Sequence, residues 1–275
     1  MTGADLHCHS IHSDGVHTPD ELISMAKEKG LIGLSITDHD TFSTHQSFFD
    51  RDFLLIPGIE ISAECVGQSV HVLGYAYDLY SKTLDEFCRF HQARRVKRNQ
   101  AIIENLVEMG MPISWEEVKE LSPEASSYGR PHIARVLVKK GYVPDVATAF
   151  KRFIGEGKPA YISGDRWRVE EAIHAVHEAG GKAVLAHPHL IKQRSIVRKL
   201  LSLPFDGLEA YYSLMPKSEN ERWRQEAEEH GFFATGGSDF HGTLKPAVHL
   251  GSSFTSFETV QMLYRHFLQH VKRAV

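Results

Sequence analysis

The sequence predicts an α/β fold whose parallel sheet closes into a full or distorted barrel, and three observations carry that expectation. Short apolar runs alternate with amphipathic helical segments in both the first and the last third of the chain, in roughly seven units. Five of those runs end in histidine, aspartate or glutamate, and the C-terminal ends of its strands are where a barrel carries its active site. The length, 275 residues, lies near the usual size of such a barrel and is enough to bury a sizeable core.

Taken in order, "ADLHCH" is a candidate strand, followed by a capping box of Thr18 and Glu21 around Pro19 that opens a helix ending at Gly30. "LIGLSITDH", "LLIPGIEIS" and "VHVLGYAY" are rich in residues that suit strands. The alternation resumes near residue 160. There the helical "VEEAIHAVHEAG" precedes "GKAVLAHP", and "FDGLEAYY" leads to the helix "ENERWRQEAEEHG", the run "FFATGGSDFH" and a last amphipathic helix after Ser256. From 81 to 159 the signals are helical only: Thr83 and Glu86 box a long helix reaching Gly110, Ser114 and Glu117 box another, and Pro131 to Lys140 form a third, stopped by Gly141. The expected organisation is a barrel from residues 1–80 and 160–275, with 81–159 as a helical insertion over the substrate.

Composition excludes several function classes. Hydrophobic residues make up 42% and charged residues 24%, and no apolar run nears the length of a membrane helix, so no membrane partner is expected. A formal charge of −4 gives no global field for long duplex nucleic acid. Cys8, Cys65 and Cys88 are scattered and odd in number, which is no disulfide framework, and the first motif starts at Asp5 with no room ahead of it for a leader. A cytoplasmic location is expected.

The ionisable residues carry the function. His7 and His9 close the first run, His39 the second, Glu60 the third, His187 follows "VLA", and Asp239 with His241 closes "GGSDFH". On a strand, residues two apart face the same way, so His7 with His9, and Asp239 with His241, would point into one site. His71 sits near the start of its run. Cys8, between two inward histidines, should point away as a small buried thiol. Nitrogen and oxygen donors without thiolate suit Mn, Zn or Fe.

The set "DLHCHSIHSDG", "ITDHD", "GIEIS", "HVLG", "AHP" and "GGSDFHG" resembles the PHP family, the polymerase and histidinol phosphatase metallohydrolases. The blocks "RNQAII", "GRPHIARVLVKKGYV" and "GKPAYI" resemble its stand-alone members with a helical insertion, among them 3′,5′-nucleoside bisphosphate phosphatases and 5′-to-3′ exoribonucleases. The resemblance implies a distorted, TIM-like (β/α)7 barrel holding two or three divalent metal ions, with manganese preferred and zinc or iron as alternatives. It implies that His7, His9, Glu60 and Asp239 hold the first metal, Asp14, His39 and His187 the second, and Glu60, His71 and His241 the third. Some relatives carry His where this chain has Asp14.

Clustered divalent metals acidify water and clamp phosphoryl oxygens, so the expected chemistry is phosphate-ester hydrolysis by a metal-bound hydroxide, with Asp14, His39, Glu60, His187 and Asp239 at the reacting centre. Asp14, Asp38, Asp40 and the metal histidines are all potential proton carriers. Phe87, His91, Arg95, Arg98, Ile102 and Leu106 share one helix face, an apolar stripe interrupted by cations that an inward phosphate would meet. Arg130 and His132 flank Pro131 at a helix N-terminus, where a phosphate can bind; the resemblance implies that both touch it, and Lys158 is a weaker candidate. Tyr211 and Tyr212 are candidates for base stacking or packing. The expected substrate is a small phosphorylated nucleotide. The alternatives are the 5′ end of a short RNA, histidinol phosphate, and a non-catalytic nucleotide-binding module.

Overall fold

A computed structural model describes residues 3–42, 53–164 and 166–271. β1 (Gly3–Cys8), β2 (Gly33–Ile36) and β3 (Leu54–Leu55) run parallel, with β10 (Thr255–Ser256) antiparallel along β1. A second sheet has the order β6 (Trp167–Arg168), β4 (Gly58–Cys65), β5 (Gln68–Tyr75), β7 (Lys182–Leu185), β8 (Gly207–Tyr212) and β9 (Phe233–Gly237). Single bridges join the two sheets at two places, Cys8 to Phe240 and His39 to Glu60. The fold is therefore α/β with mixed sheets.

The purely parallel expectation fails at β5, which runs antiparallel to both β4 and β7. The reason is local. Val66 and Gly67 form a two-residue hairpin with φ of 52° and 74°, the left-handed pair that matches the twist of adjoining strands. Consequently Glu60 is not the end of a strand but the third residue of β4, and His71 lies in mid-β5, paired with Ser62.

Helix α1 (Pro19–Glu28) begins with the Thr18–Glu21 box and stops before Gly30, whose φ is 71°. Helix α2 (Lys82–Glu108) is capped by Ser81, whose hydroxyl accepts from the Leu84 N–H, two residues ahead of the expected cap. α3 (Trp115–Leu121) carries the Ser114–Glu117 box, and α4 (Arg130–Lys139), α5 (Val146–Ala149) and a π turn (Phe150–Ile154) follow. These helices share their own core, in which Ile102, Leu106, Val118, Ile133, Leu137 and Ile154 meet. Then come α6 (Val169–Glu178), α7 (Arg194–Leu201), which the sequence reading missed, α8 (Lys217–Glu229) and α9 (Phe257–Val271).

Two further clusters hold the sheets. Ile59, Ile61, Val72, Ile173, Leu200 and Trp223 pack the second sheet against α6, α7 and α8. Leu6 of β1, Leu73 and Tyr75 of β5, and Val184 of β7 meet Val260, Leu263 and Phe267 of α9, so both sheets share one interior. The Tyr75 hydroxyl fixes their spacing by donating to the Leu6 carbonyl at 2.8 Å. No helix among the described residues is long and apolar enough to cross a membrane.

Candidate active site

Glu60 is the hub around which the donors gather. Its Oε2 lies 3.3 Å from His7 Nε2, 3.2 Å from His9 Nε2 and 3.2 Å from His39 Nδ1. Its Oε1 lies 2.7 Å from His71 Nδ1 and 2.9 Å from His187 Nε2. Asp239 Oδ1 stands 3.6 Å from His7 Nε2 and 3.3 Å from His9 Nε2. Asp14 faces His241 Nε2 at 3.3 Å, His9 Nδ1 at 3.6 Å and His39 Nε2 at 3.9 Å. Among the described residues three groups could each hold a metal ion: His7, His9, Glu60; His9, Asp14, His39, His241; and His39, Glu60, His71.

His187 and His241 are placed the other way round from the grouping the resemblance implies. His187 follows β7, which pairs with the β5 strand carrying His71, and His71 Nδ1 lies 3.3 Å from His187 Nε2. Phe240 bridges Cys8, and this seats the neighbouring His241 beside the loop bearing Asp14.

These residues fit divalent cations. His7 Nε2, His9 Nε2 and His39 Nδ1 are buried and lack a hydrogen-bond partner, yet all three converge on one carboxylate oxygen. Burying such a nitrogen unsatisfied costs about 1–3 kcal/mol, and a coordinated cation removes that cost. Burial works against the charge on Glu60, but His39, His71 and His7 around it hold its carboxyl well below the usual range. Burial pulls His39 down to about 3, while Asp239 and Glu60 outweigh burial at His9 and hold it up at about 9. Cys8 points away, its thiol donating to the Ser35 carbonyl.

A supporting shell sets the orientation of the donors. Glu209, fully buried in β8, accepts from His7 Nδ1 at 2.8 Å and from the His187 backbone N–H at 2.7 Å. That hydrogen bond fixes the His7 tautomer so that the Nε2 lone pair faces the centre. It also restrains His187, whose φ of 26° is a strained backbone that persists only when held. Sequence reading missed Glu209, although a glutamate inside the apolar run "FDGLEAYY" was the available signal. Glu209→Ala is expected to weaken metal binding about 10–100-fold, read by metal titration, while the chain stays folded. Undiminished affinity would remove Glu209 from the site. Asp239, with φ of 57°, is held by the hydroxyl of Tyr212, a stacking or packing candidate from sequence, at 2.7 Å and by Lys245 Nζ at 2.5 Å, which the sequence did not single out.

Two proposed proton carriers are already committed elsewhere. Asp38 accepts from the Ser10 backbone and hydroxyl and from the Ser13 hydroxyl, which moulds the loop carrying Asp14. Asp40 pairs with Arg95 Nε at 2.5 Å and accepts from the Ser62 N–H at 2.8 Å.

Beside the cluster lies a cavity of about 440 Å³. Its lining includes Asp14, His39, His71 and His241 of the cluster together with Arg94, Arg95, Arg98, Arg130 and Arg166, and also Phe150 and Lys245. Burial and repulsion from Arg95, Arg130 and Arg166 pull Arg98 down to about 9. Arg130 is held between the Phe150 and Tyr161 rings, 5.6 and 5.3 Å from their centroids. A guanidinium has five N–H donors, so Arg98, bonded only to Asn99 Oδ1 among the described hydrogen bonds, keeps donors for an anion.

His132 and Lys158 are not brought to this wall. Lys158 is exposed in a turn away from the cavity lining. His132 is 1% exposed, and both ring nitrogens are used: Nδ1 accepts from the Gly129 N–H at 2.9 Å and Nε2–H donates to the Ser13 carbonyl at 2.8 Å. With the Ser126 and Ser127 N–H groups on the His12 carbonyl, it clamps the Asp14 loop to the helical segment. His132→Ala is expected to lower the number of metals bound per chain with KM little changed. A raised KM at full metal content would return His132 to the role of a phosphate contact. Away from the site, His174, His177 and His230 are exposed, and His266 is half-buried on the Gly180 carbonyl.

The sequence profile of the PHP domain matches residues 5–113. The 5′-3′ exoribonuclease Rnm of Salmonella typhimurium is 33% identical over 258 residues, covering 90% of this chain and 87% of that protein. The chain belongs to the PHP family. A 3′,5′-nucleoside bisphosphate phosphatase of Chromobacterium violaceum is 29% identical over 251 residues, 88% of each chain. A solved structure described as a metal-dependent phosphoesterase from Bifidobacterium adolescentis superposes with a TM-score of 0.87 at 31% identity, covering 96% of both chains. As a PHP member the chain is a hydrolase of the metal-dependent phosphoesterase class.

Proposed function

We propose that this PHP phosphoesterase hydrolyses the 3′-phosphate ester of a small nucleotide that carries a second phosphate, such as a 3′,5′-nucleoside bisphosphate. The observation that supports this most is one cavity lined both by members of the histidine–carboxylate cluster and by five arginines. In this reading His7, His9, Glu60 and Asp239 hold one metal, Asp14, His39 and His241 a second, and Glu60, His71 and His187 a third. Manganese suits the nitrogen and oxygen donors, with zinc or iron as alternatives. When bound, such ions supply an acidified water and neutralise charge on the phosphoryl oxygens.

The chain's own residues do the rest. Arg98 and Arg130, with Arg95 positioned by Asp40 and Ser62, grip the second phosphate and so place the ester at the metal cluster. Phe150 and Tyr161 keep Arg130 from folding away. Residues 81–159 act as the insertion that supplies this grip. The remainder, with its two sheets bridged at Cys8–Phe240 and His39–Glu60, forms the distorted barrel, and the setting is cytoplasmic.

A second reading keeps the same chemistry on the 5′ end of short RNA, and the similarity to Rnm favours it. Product analysis of the Mn-loaded protein on adenosine 3′,5′-bisphosphate, histidinol phosphate and a 5′-phosphorylated RNA trinucleotide tests both. Phosphate from the bisphosphate supports the first reading, and stepwise mononucleotides from RNA support the second. Turnover of histidinol phosphate alone would overturn both.

A further inference from the structure

Helix α2 brings two kinds of surface to the cavity. Arg95 and Arg98 bring charge, and one turn ahead of them His91 and Arg94 bring an aromatic layer. Trp167, which β6 places beside Ala63 of β4, stacks on Phe87 with ring centroids 5.1 Å apart and meets Phe90 at 5.2 Å and His91 at 5.8 Å. The Arg94 guanidinium lies over this layer, 5.2 Å from the Phe90 centroid and 5.7 Å from that of Trp167, and Arg94 also lines the cavity. The metal cluster and the grip on the second phosphate use none of these contacts. His91 lines the same cavity with only 4% of its surface exposed, and its Nε2 is buried without a hydrogen-bond partner. Burial pulls this ring down to about 4, so it is neutral, with one N–H donor and one bare acceptor.

We infer that this part of the cavity is a nucleobase subsite: the base of the bound nucleotide lies on the guanidinium of Arg94, with its polar edge toward His91. This rests on the function proposed above and adds what that reading leaves open, namely what distinguishes a nucleoside bisphosphate from any other sugar bisphosphate. A planar guanidinium packed on an indole and a phenyl ring is a preformed plate for one more flat π system, because base, guanidinium and ring can form successive layers. The spacing agrees. Arg94 and Arg98 are four residues apart on α2, about 6 Å along the helix, which sets the plate beside a cation assigned to the second phosphate, with room for the ribose that joins the two groups. The unpaired buried nitrogen of His91 costs about 1–3 kcal/mol, and an amine or ring nitrogen at a base edge would remove that cost. A sugar bisphosphate without a base can reach the metals and the arginines, but it leaves the plate uncovered and His91 unmet.

The test measures kcat/KM of the Mn-loaded protein on adenosine 3′,5′-bisphosphate and on anhydroribitol 3,5-bisphosphate, which keeps the sugar ring and both phosphates and lacks the base. In wild type the base should raise kcat/KM roughly tenfold or more, the worth of one stacked base. Arg94→Ala should erase most of that ratio, and Arg94→Lys, which keeps the charge without the plane, should restore little of it. His91→Phe, which keeps a ring against Phe87 and Trp167, should lower the ratio about threefold or more. A wild-type ratio near one overturns the subsite. So does an equal loss on both substrates in Arg94→Ala, which would make Arg94 a phosphate contact, and so does full recovery in Arg94→Lys. Failure on both substrates in the wild type overturns the underlying function instead.

Discussion

Glu60→Gln is expected to lower kcat/KM by on the order of a thousandfold or more and to strip metal from the protein. Every metal group that Glu60 joins uses its carboxylate: its two oxygens face His7, His9 and His39 on one side and His71 and His187 on the other. An amide keeps the shape but loses the charge and turns one of the two positions from an acceptor into a donor. That donor would meet ring nitrogens directed at it. Metal content per chain should fall together with activity. Full metal content in an inactive variant would mean that Glu60 acts on substrate and does not bridge.

Arg130→Ala is expected to raise KM for the bisphosphate about 10–100-fold, with kcat changed far less, because it removes a charge-assisted contact made in both the ground and the transition state. The same variant should leave hydrolysis of a substrate lacking the second phosphate nearly unaffected. Steady-state kinetics on the two substrates measure this directly. A fall in kcat at constant KM would place Arg130 at the reacting phosphate, contrary to its position between Phe150 and Tyr161 on the cavity wall.

Much of this site is legible in the chain itself. Local rules suffice for the Thr18 and Ser114 capping boxes, the stop at Gly141 and the shared α2 face of His91, Arg95 and Ile102, since each depends on residues within one or two turns. The gathering of His7, His39, Asp239 and Glu60 is legible because donors recur at or near apolar runs and an α/β sheet brings such positions together. What depends on strand order is not legible. The β4–β5 hairpin hid in the dipeptide Val66–Gly67, a weaker signal than Asn-Gly, and with it the pairing of β5 to β7 that sets His71 beside His187. Nor can a linear pattern reveal that Glu209 orients His7, or that His132 is consumed by the Ser13 carbonyl, because those contacts span 202 residues in one case and 119 in the other.

The central claim is that a single cavity couples a metal-dependent ester cleavage to capture of a second phosphate by the arginine wall. The most direct measurement is kcat/KM of the Mn-loaded protein on adenosine 3′,5′-bisphosphate against adenosine 3′-monophosphate, which differ only in that second phosphate. A preference for the bisphosphate of about a hundredfold or more is expected, the combined worth of at least two charge-assisted contacts. Equal values for the two substrates would contradict it.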